Sequence, residues 1–139
     1  MTLPLSLSRD ERIDWLRLIR SENVGPITFF ALLGHFGTVG EALAGVPGMA
    51  RRGGNRKAIR ICPRADAERE CAAVEAAGAT LLACGEAGYP PQLAHIADPP
   101  PLISVMGNAH LLSRPAVAVG GESVAWTIRL LGNVPIREV

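Results

Sequence analysis

Apolar positions in the first sixty residues recur at three- and four-residue intervals, whereas beyond residue 78 they gather into short unbroken runs. The first spacing is that of helices and the second that of buried strands. Ser8 with Glu11 forms a capping box ahead of Ile13, Leu16 and Ile19, which predicts a helix to about Arg20. Asn23-Val24-Gly25-Pro26 reads as a tight turn, with Pro26 near the first position of a second helix over Ile27–Phe36. Phe29, Phe30, Leu33 and Phe36 give that helix an apolar stripe, and Gly37 can stop it in a left-handed conformation. Thr38 and Glu41 make a second capping box for a short helix ending near Ala44. Gly45-Val46-Pro47-Gly48 then reads as another turn before a short helical piece. Arg64–Ala77, rich in Ala and Glu between Pro63 and Gly78, predicts a further helix.

Past Gly78 the predicted strands are Thr80–Ala83, Leu102–Met106 and Ala116–Val119. Short helical pieces fit around Gln92–Ile96 and Ala109–Leu112. Glu122–Leu131 reads as a helix, with Val124, Ile128 and Leu131 on one side and Gly132 at its end. Strands alternating with helices predict an α/β sheet. The chain therefore divides into a helical part, 1–78, and an α/β part, 79–139, making it α+β overall. Its 139 residues suit one ordinary domain or two very small ones. A composition of 48% hydrophobic and 19% charged residues excludes a disordered chain. Only six residues are aromatic, so the core rests on Leu, Ile, Val and Ala.

A net charge of +1 selects no partner, but its distribution changes the picture. Residues 1–60 carry nine basic and five acidic side chains, residues 61–139 five and eight. The surplus lies in one run without an acid, Arg51, Arg52, Arg56, Lys57 and Arg60, which can neutralise phosphates. The plain alternative is a solvated loop in a chain with 13 Arg and one Lys. Cys62, Cys71 and Cys84 form no C-x-x-C pair, which disfavours structural zinc and implies reduced thiols in a cytoplasmic protein. Met1–Ser8 lacks the charged start and apolar core of a signal peptide. No apolar run approaches the roughly 18 residues of a membrane span.

Two segments have a shape that suits phosphate. Val24-Gly25-Pro26 followed by a helix fits the second half of a helix–hairpin–helix, in which glycine lets backbone N–H groups approach a phosphate and the helix N-terminus adds positive charge. Gly45–Gly48 is a candidate second hairpin beside the arginine run. Pro115–Gly121, an apolar strand ending in Gly120-Gly121 before a predicted helix, has the outline of a phosphate turn. There Glu122 would repel the ligand, so an ordinary strand-to-helix turn is the simpler reading. His35, His95 and His110 have neither metal spacing nor an acid partner nearby in sequence, and no G-x-S-x-G elbow exists. The sequence implies no enzyme, no cofactor and no metal.

Gly88-Tyr89-Pro90-Pro91-Gln92-Leu93, then Asp98-Pro99-Pro100-Pro101-Leu102-Ile103, Gly107-Asn108 and Leu111-Leu112 through Val119 resemble the entry into the α/β domain of the DNA processing protein A (DprA/Smf) family. Asn23–Pro26 and Phe36-Gly37 resemble that family's N-terminal helical domain, which is sterile-alpha-motif (SAM)-like or helix–hairpin–helix-like. The resemblance spans about residues 8–120. It implies a cytoplasmic protein that binds single-stranded DNA, dimerises and loads the RecA recombinase in natural transformation and competence. It also implies an extended Rossmann-like fold, with no cofactor and no catalysed reaction. The family's Gly-Ser-Arg phosphate turn is here Gly121-Glu122-Ser123, so only Gly121 carries over. The family's sheet continues further, which makes this α/β part incomplete by truncation, internal deletion or frameshift. The DNA-binding candidates are Gly25, Arg51, Arg52, Arg56, Lys57 and Gly121. The competing class is a small helical protein-interaction module without DNA contact of its own. A third is an α/β enzyme holding a nucleotide at Gly120-Gly121.

Overall fold

The computed structural model describes residues 5–54 and 59–115, and the backbone of 118–119, 127–130 and 134–138. Two compact units emerge. One is Ser8–Glu70, and the other combines Met1–Leu7 with Cys71–Val139.

The helical unit contains α1 (Arg9–Ile19), α2 (Pro26–Phe36), α3 (Val39–Arg52) and the start of α4 (Arg64–Ala76). At the head of α1 the Ser8 hydroxyl accepts from the Glu11 amide at 3.2 Å, and the Glu11 carboxylate accepts from the Ser8 amide at 2.7 Å. The Ser8 backbone amide, and then its hydroxyl, hold the Glu11 carboxyl below its ordinary pKa. Pro26 takes the first position of α2, where its missing N–H has no consequence. Gly37 ends that helix at φ +86°, a conformation glycine adopts without a Cβ clash. Ile13, Leu16, Leu18 and Phe29 are fully enclosed, and the Trp15 and Phe29 rings meet at 4.9 Å.

The expected turn at Gly45–Gly48 is absent: α3 runs unbroken from Val39 to Arg52 with Pro47 inside it. The candidate second hairpin is therefore helix interior. Pro47 offers no N–H to the Leu43 carbonyl, a defect worth about 3 kcal/mol in an exposed helix. Packing offsets it, because Val39, Ala42, Val46 and Ala50 keep one buried face across the proline. Gly45 is needed for a different reason than turning the chain. A methyl there would land on the Phe36 ring. Gly45→Ala should lower stability by about 1–2 kcal/mol, overpacking outweighing alanine's helix preference. Urea denaturation giving an unchanged or raised midpoint would contradict this.

The other unit holds a five-stranded sheet in the order β1-β2-β5-β4-β3, with β1 (Thr80–Ala83), β2 (Leu102–Val105), β3 (Ala118–Val119), β4 (Thr127–Leu130) and β5 (Val134–Glu138). Every neighbouring pair is antiparallel, with Thr80 opposite Val105 and Leu130 opposite Val134. A doubly wound sheet would be parallel. The expected helix over Glu122–Leu131 is overturned at Thr127–Leu130, which is strand. Its earlier residues, like Ala116 and Val117 of the predicted third strand, lie outside the described ones. The helical spacing rests on Val124, Ile128 and Leu131, but Thr127, Ile128, Val134 and Ile136 are β-branched, and antiparallel pairing favours them.

Between the strands lie α5 (Pro91–Ala94) and the 3₁₀ turn Ala109–Ser113. Tyr89, Ile103, Val105 and Leu112 form a buried cluster, and the Tyr89 hydroxyl donates to the Pro100 carbonyl at 2.7 Å. The Gly-Tyr-Pro-Pro and Asp-Pro-Pro-Pro segments thus serve as core and frame. Buried Glu86 accepts from Leu7 N–H through Oε1 at 3.2 Å and from Ala83 N–H through Oε2 at 2.8 Å. It ties the first described residues to the end of β1. Among the described residues no single helix is long and apolar enough to cross a membrane.

Candidate nucleic-acid interface

The loop between α1 and α2 is pinned from behind. Buried Ser21 donates its hydroxyl to the Arg17 carbonyl at 2.7 Å and accepts from Cys62 N–H at 3.1 Å. Glu22 N–H donates to the Arg60 carbonyl at 3.0 Å, and Arg60 N–H returns a bond to Glu22 Oε2 at 3.3 Å. Asn23 sits at φ +60°, which its short polar side chain tolerates. This anchoring presents Gly25 as the N-cap of α2.

Gly25 has φ −97° and ψ −178°, and a Cβ placed on it would meet nothing within 4 Å. Neither conformation nor internal packing demands glycine at that position. No side chain caps α2, and its first turn carries no acid. These are the conditions the hairpin reading asks for. They also satisfy an ordinary helix start, at which glycine is an acceptable cap.

Arg51 and Arg52 are exposed in the last turn of α3. Cations there interact favourably with the helix dipole, so a purely structural role already accounts for their placement. What distinguishes them is pairing. Arg17 is 3.9 Å from Asp14, Arg20 grips Glu70 through two nitrogens at 2.7 and 3.1 Å, Arg64 reaches Asp10 at 2.7 Å and Glu68 at 2.8 Å, and Arg69 pairs with Asp66. Arg51, Arg52 and Arg60 form no ion pair among the described residues. The positive surplus of the first sixty residues is thereby concentrated at the end of α3 and the segment after it.

A groove of about 280 Å³ opens between α2 and α3. Val24, Thr28 and Leu32 line one side, and Val46, Met49 and Ala50 the other. Glu22, Asn23, Gly53 and Ile59 complete it. The Gly25 loop and the end of α3 therefore meet around one cleft. With successive residues about 100° apart on a helix, Arg51 and Arg52 leave α3 away from the face that Val46, Met49 and Ala50 turn to the cleft, and Arg52 Nε donates back to the Gly48 carbonyl at 3.5 Å. Arg56, Lys57 and Gly121 lie outside the described residues. Nothing in the sequence spacing pointed to Glu22 at this cleft, because its place depends on contacts with residues near 60.

The two partly buried thiols are not set up as nucleophiles. Burial pushes the Cys62 thiol above its ordinary pKa, and burial does the same to Cys84 against an opposing Tyr89 hydrogen bond. Neither thiol is thereby activated as a thiolate. Among the described residues no group of three or more His, Cys, Asp or Glu gathers to hold a metal.

A short bundle of capped helices, opening on a glycine-capped turn and ending in exposed arginines, defines a helix–hairpin–helix-like class of module. Residues 9–73 match the family described as the DprA-like N-terminal HHH domain. The helical part is accordingly similar to the N-terminal domain of DprA-type DNA-processing proteins. No curated protein matches the chain.

Proposed function

We propose that this chain handles single-stranded DNA in the manner of DprA-type DNA-processing proteins, holding phosphates with the basic end of α3 and the Gly25 turn. The observation that carries this reading is the match over residues 9–73. Support comes from Arg51, Arg52 and Arg60, exposed side chains that have no carboxylate partner among the described residues. The role extends to loading RecA recombinase on incoming strands during natural transformation, in the cytoplasm and as a homodimer. No reaction is catalysed and no cofactor is needed.

The test is fluorescence anisotropy of the whole chain with a labelled single-stranded oligonucleotide at low and at physiological salt. Binding should fall steeply as salt rises, since each phosphate neutralised by a cation releases counterions. Absence of binding at low salt would refute the reading.

One observation favours a protein-interaction module instead. Helix α2 is almost wholly apolar, yet only Phe29 is buried in it and Ile27 is 69% exposed. Under that reading the oligonucleotide does not bind and α2 meets a protein partner.

A further inference from the structure

We propose that the exposed face of α2 pairs with the same face of a second copy of this chain, the two helices running antiparallel about a twofold axis between Phe30 and Ala31. This rests on the homodimer in the reading above and names the surface that forms it. Binding of a DNA strand is not required for it.

Helix α2 carries no Asp, Glu, Lys or Arg over its 11 residues. Its inner side is anchored by Phe29, which is fully buried against Trp15. With successive residues about 100° apart, Ile27, Phe30, Ala31 and Gly34 share an arc of about 100° on the side away from Phe29. Ile27 is 69% exposed, Ala31 and Gly34 are exposed, and Phe30 is half-buried with its ring edge-on to Phe29. A contiguous apolar face without charge marks a contact with a surface that is itself apolar and uncharged.

Gly34 supplies an independent observation. It lies in the helix interior, where glycine weakens a helix relative to alanine. Its φ is not positive, and a Cβ placed on it would meet nothing within 4 Å. Neither backbone conformation nor internal packing asks for glycine there. The room it leaves lies on the outside of the helix and can seat a side chain from another molecule.

The order of side-chain sizes says which molecule. In an antiparallel pair centred between positions 30 and 31, Ile27 of one copy meets Gly34 of the other and Phe30 meets Ala31, each contact occurring twice. Large faces small throughout, as close packing between helices requires. The same patch serves both copies, which is the condition for a twofold interface. A parallel pair would instead set Ile27 on Ile27 and leave a void between the two glycines. Antiparallel helices also oppose their dipoles favourably. At about 16 Å, α2 is too short to cover the roughly 800 Å² per partner of a standard interface, so the dimer is weak, with a dissociation constant on the order of 10 μM or above.

The test is sedimentation velocity of the whole chain from micromolar to near-millimolar concentration. Gly34→Leu should weaken self-association about tenfold or more, with native circular dichroism retained. Gly40→Leu, at an exposed glycine of α3 whose Cβ would also meet nothing within 4 Å, should leave it unchanged. Register is read by oxidation: a mixture of Ile27→Cys and Gly34→Cys chains should cross-link beyond the wild-type background. Either variant alone should not, because like positions lie about 10 Å apart, out of disulfide reach. A dimer that survives Gly34→Leu, or like-with-like cross-linking in place of the mixed pair, would overturn the α2 pairing and leave the homodimer standing. A chain that stays monomeric throughout would overturn both.

Discussion

Replacing Arg51, Arg52 and Arg60 together by Ala should lower affinity for a single-stranded oligonucleotide about a hundredfold at low salt. That corresponds to roughly 1 kcal/mol for each phosphate no longer held by a guanidinium. The slope of log affinity against log salt should flatten by about 2, since each phosphate neutralised on a single strand contributes about 0.7. The fold should survive, because these side chains are exposed and carry no ion pair among the described residues. Arg69→Ala is the matched control. It also removes an exposed arginine, but one whose charge Asp66 already neutralises. Salt-titrated anisotropy checks both. A triple variant with native affinity and slope, or an Arg69 variant that loses as much, would show that net charge and not this surface binds the strand.

Glu86→Gln should destabilise the strand-containing unit by about 2–4 kcal/mol, nearly as much as Glu86→Ala. Each carboxylate oxygen accepts one backbone N–H, from Leu7 and from Ala83. Hydrogen bonds to a charged acceptor contribute about 1.5–3 kcal/mol apiece, and a buried donor left unpaired adds its desolvation. Gln is close in shape but has one acceptor oxygen, and its amide NH₂ would face a second donor. Urea denaturation followed by hydrogen exchange checks this: the Leu7 and Ala83 amides should exchange much faster in the variant. Wild-type stability in Glu86→Gln would mean that this carboxylate is dispensable to the unit. The Glu86 amide also donates to the Ala83 carbonyl, so both outward-facing backbone groups of Ala83 are occupied at the end of edge strand β1. This keeps that end of the edge from pairing with another chain.

Much of the local structure was legible in the sequence. The Ser8–Glu11 box, Pro26 at the first position of its helix, the Gly37 stop, and the runs at Thr80–Ala83 and Leu102–Val105 lie where their patterns put them. The Thr38 cap is also present, with its hydroxyl accepting from Glu41 N–H at 3.2 Å. The helix it starts does not stop at Gly45, because the glycine there makes room for Phe36 and leaves the backbone helical. The proposed binding surface was legible in part. Its residue types stood out as a run, but which of the chain's arginines keep their charge available did not.

The sequence by itself determined the positions of α1, α2, α4, β1 and β2, and the glycine-capped turn before α2. Caps and period-dependent burial act between residues at most four or so apart, so they are written contiguously. Only the tertiary structure decided the rest. Packing of Val46 and Ala50 carries α3 through Pro47. Strand pairing turns Thr127–Leu130 into β4. Ion pairs reaching fifty and fifty-four residues along the chain, Arg20 to Glu70 and Arg64 to Asp10, cancel charges that look free in the sequence. Each of these depends on partners that come close only when the chain folds back on itself, and no local pattern specifies them.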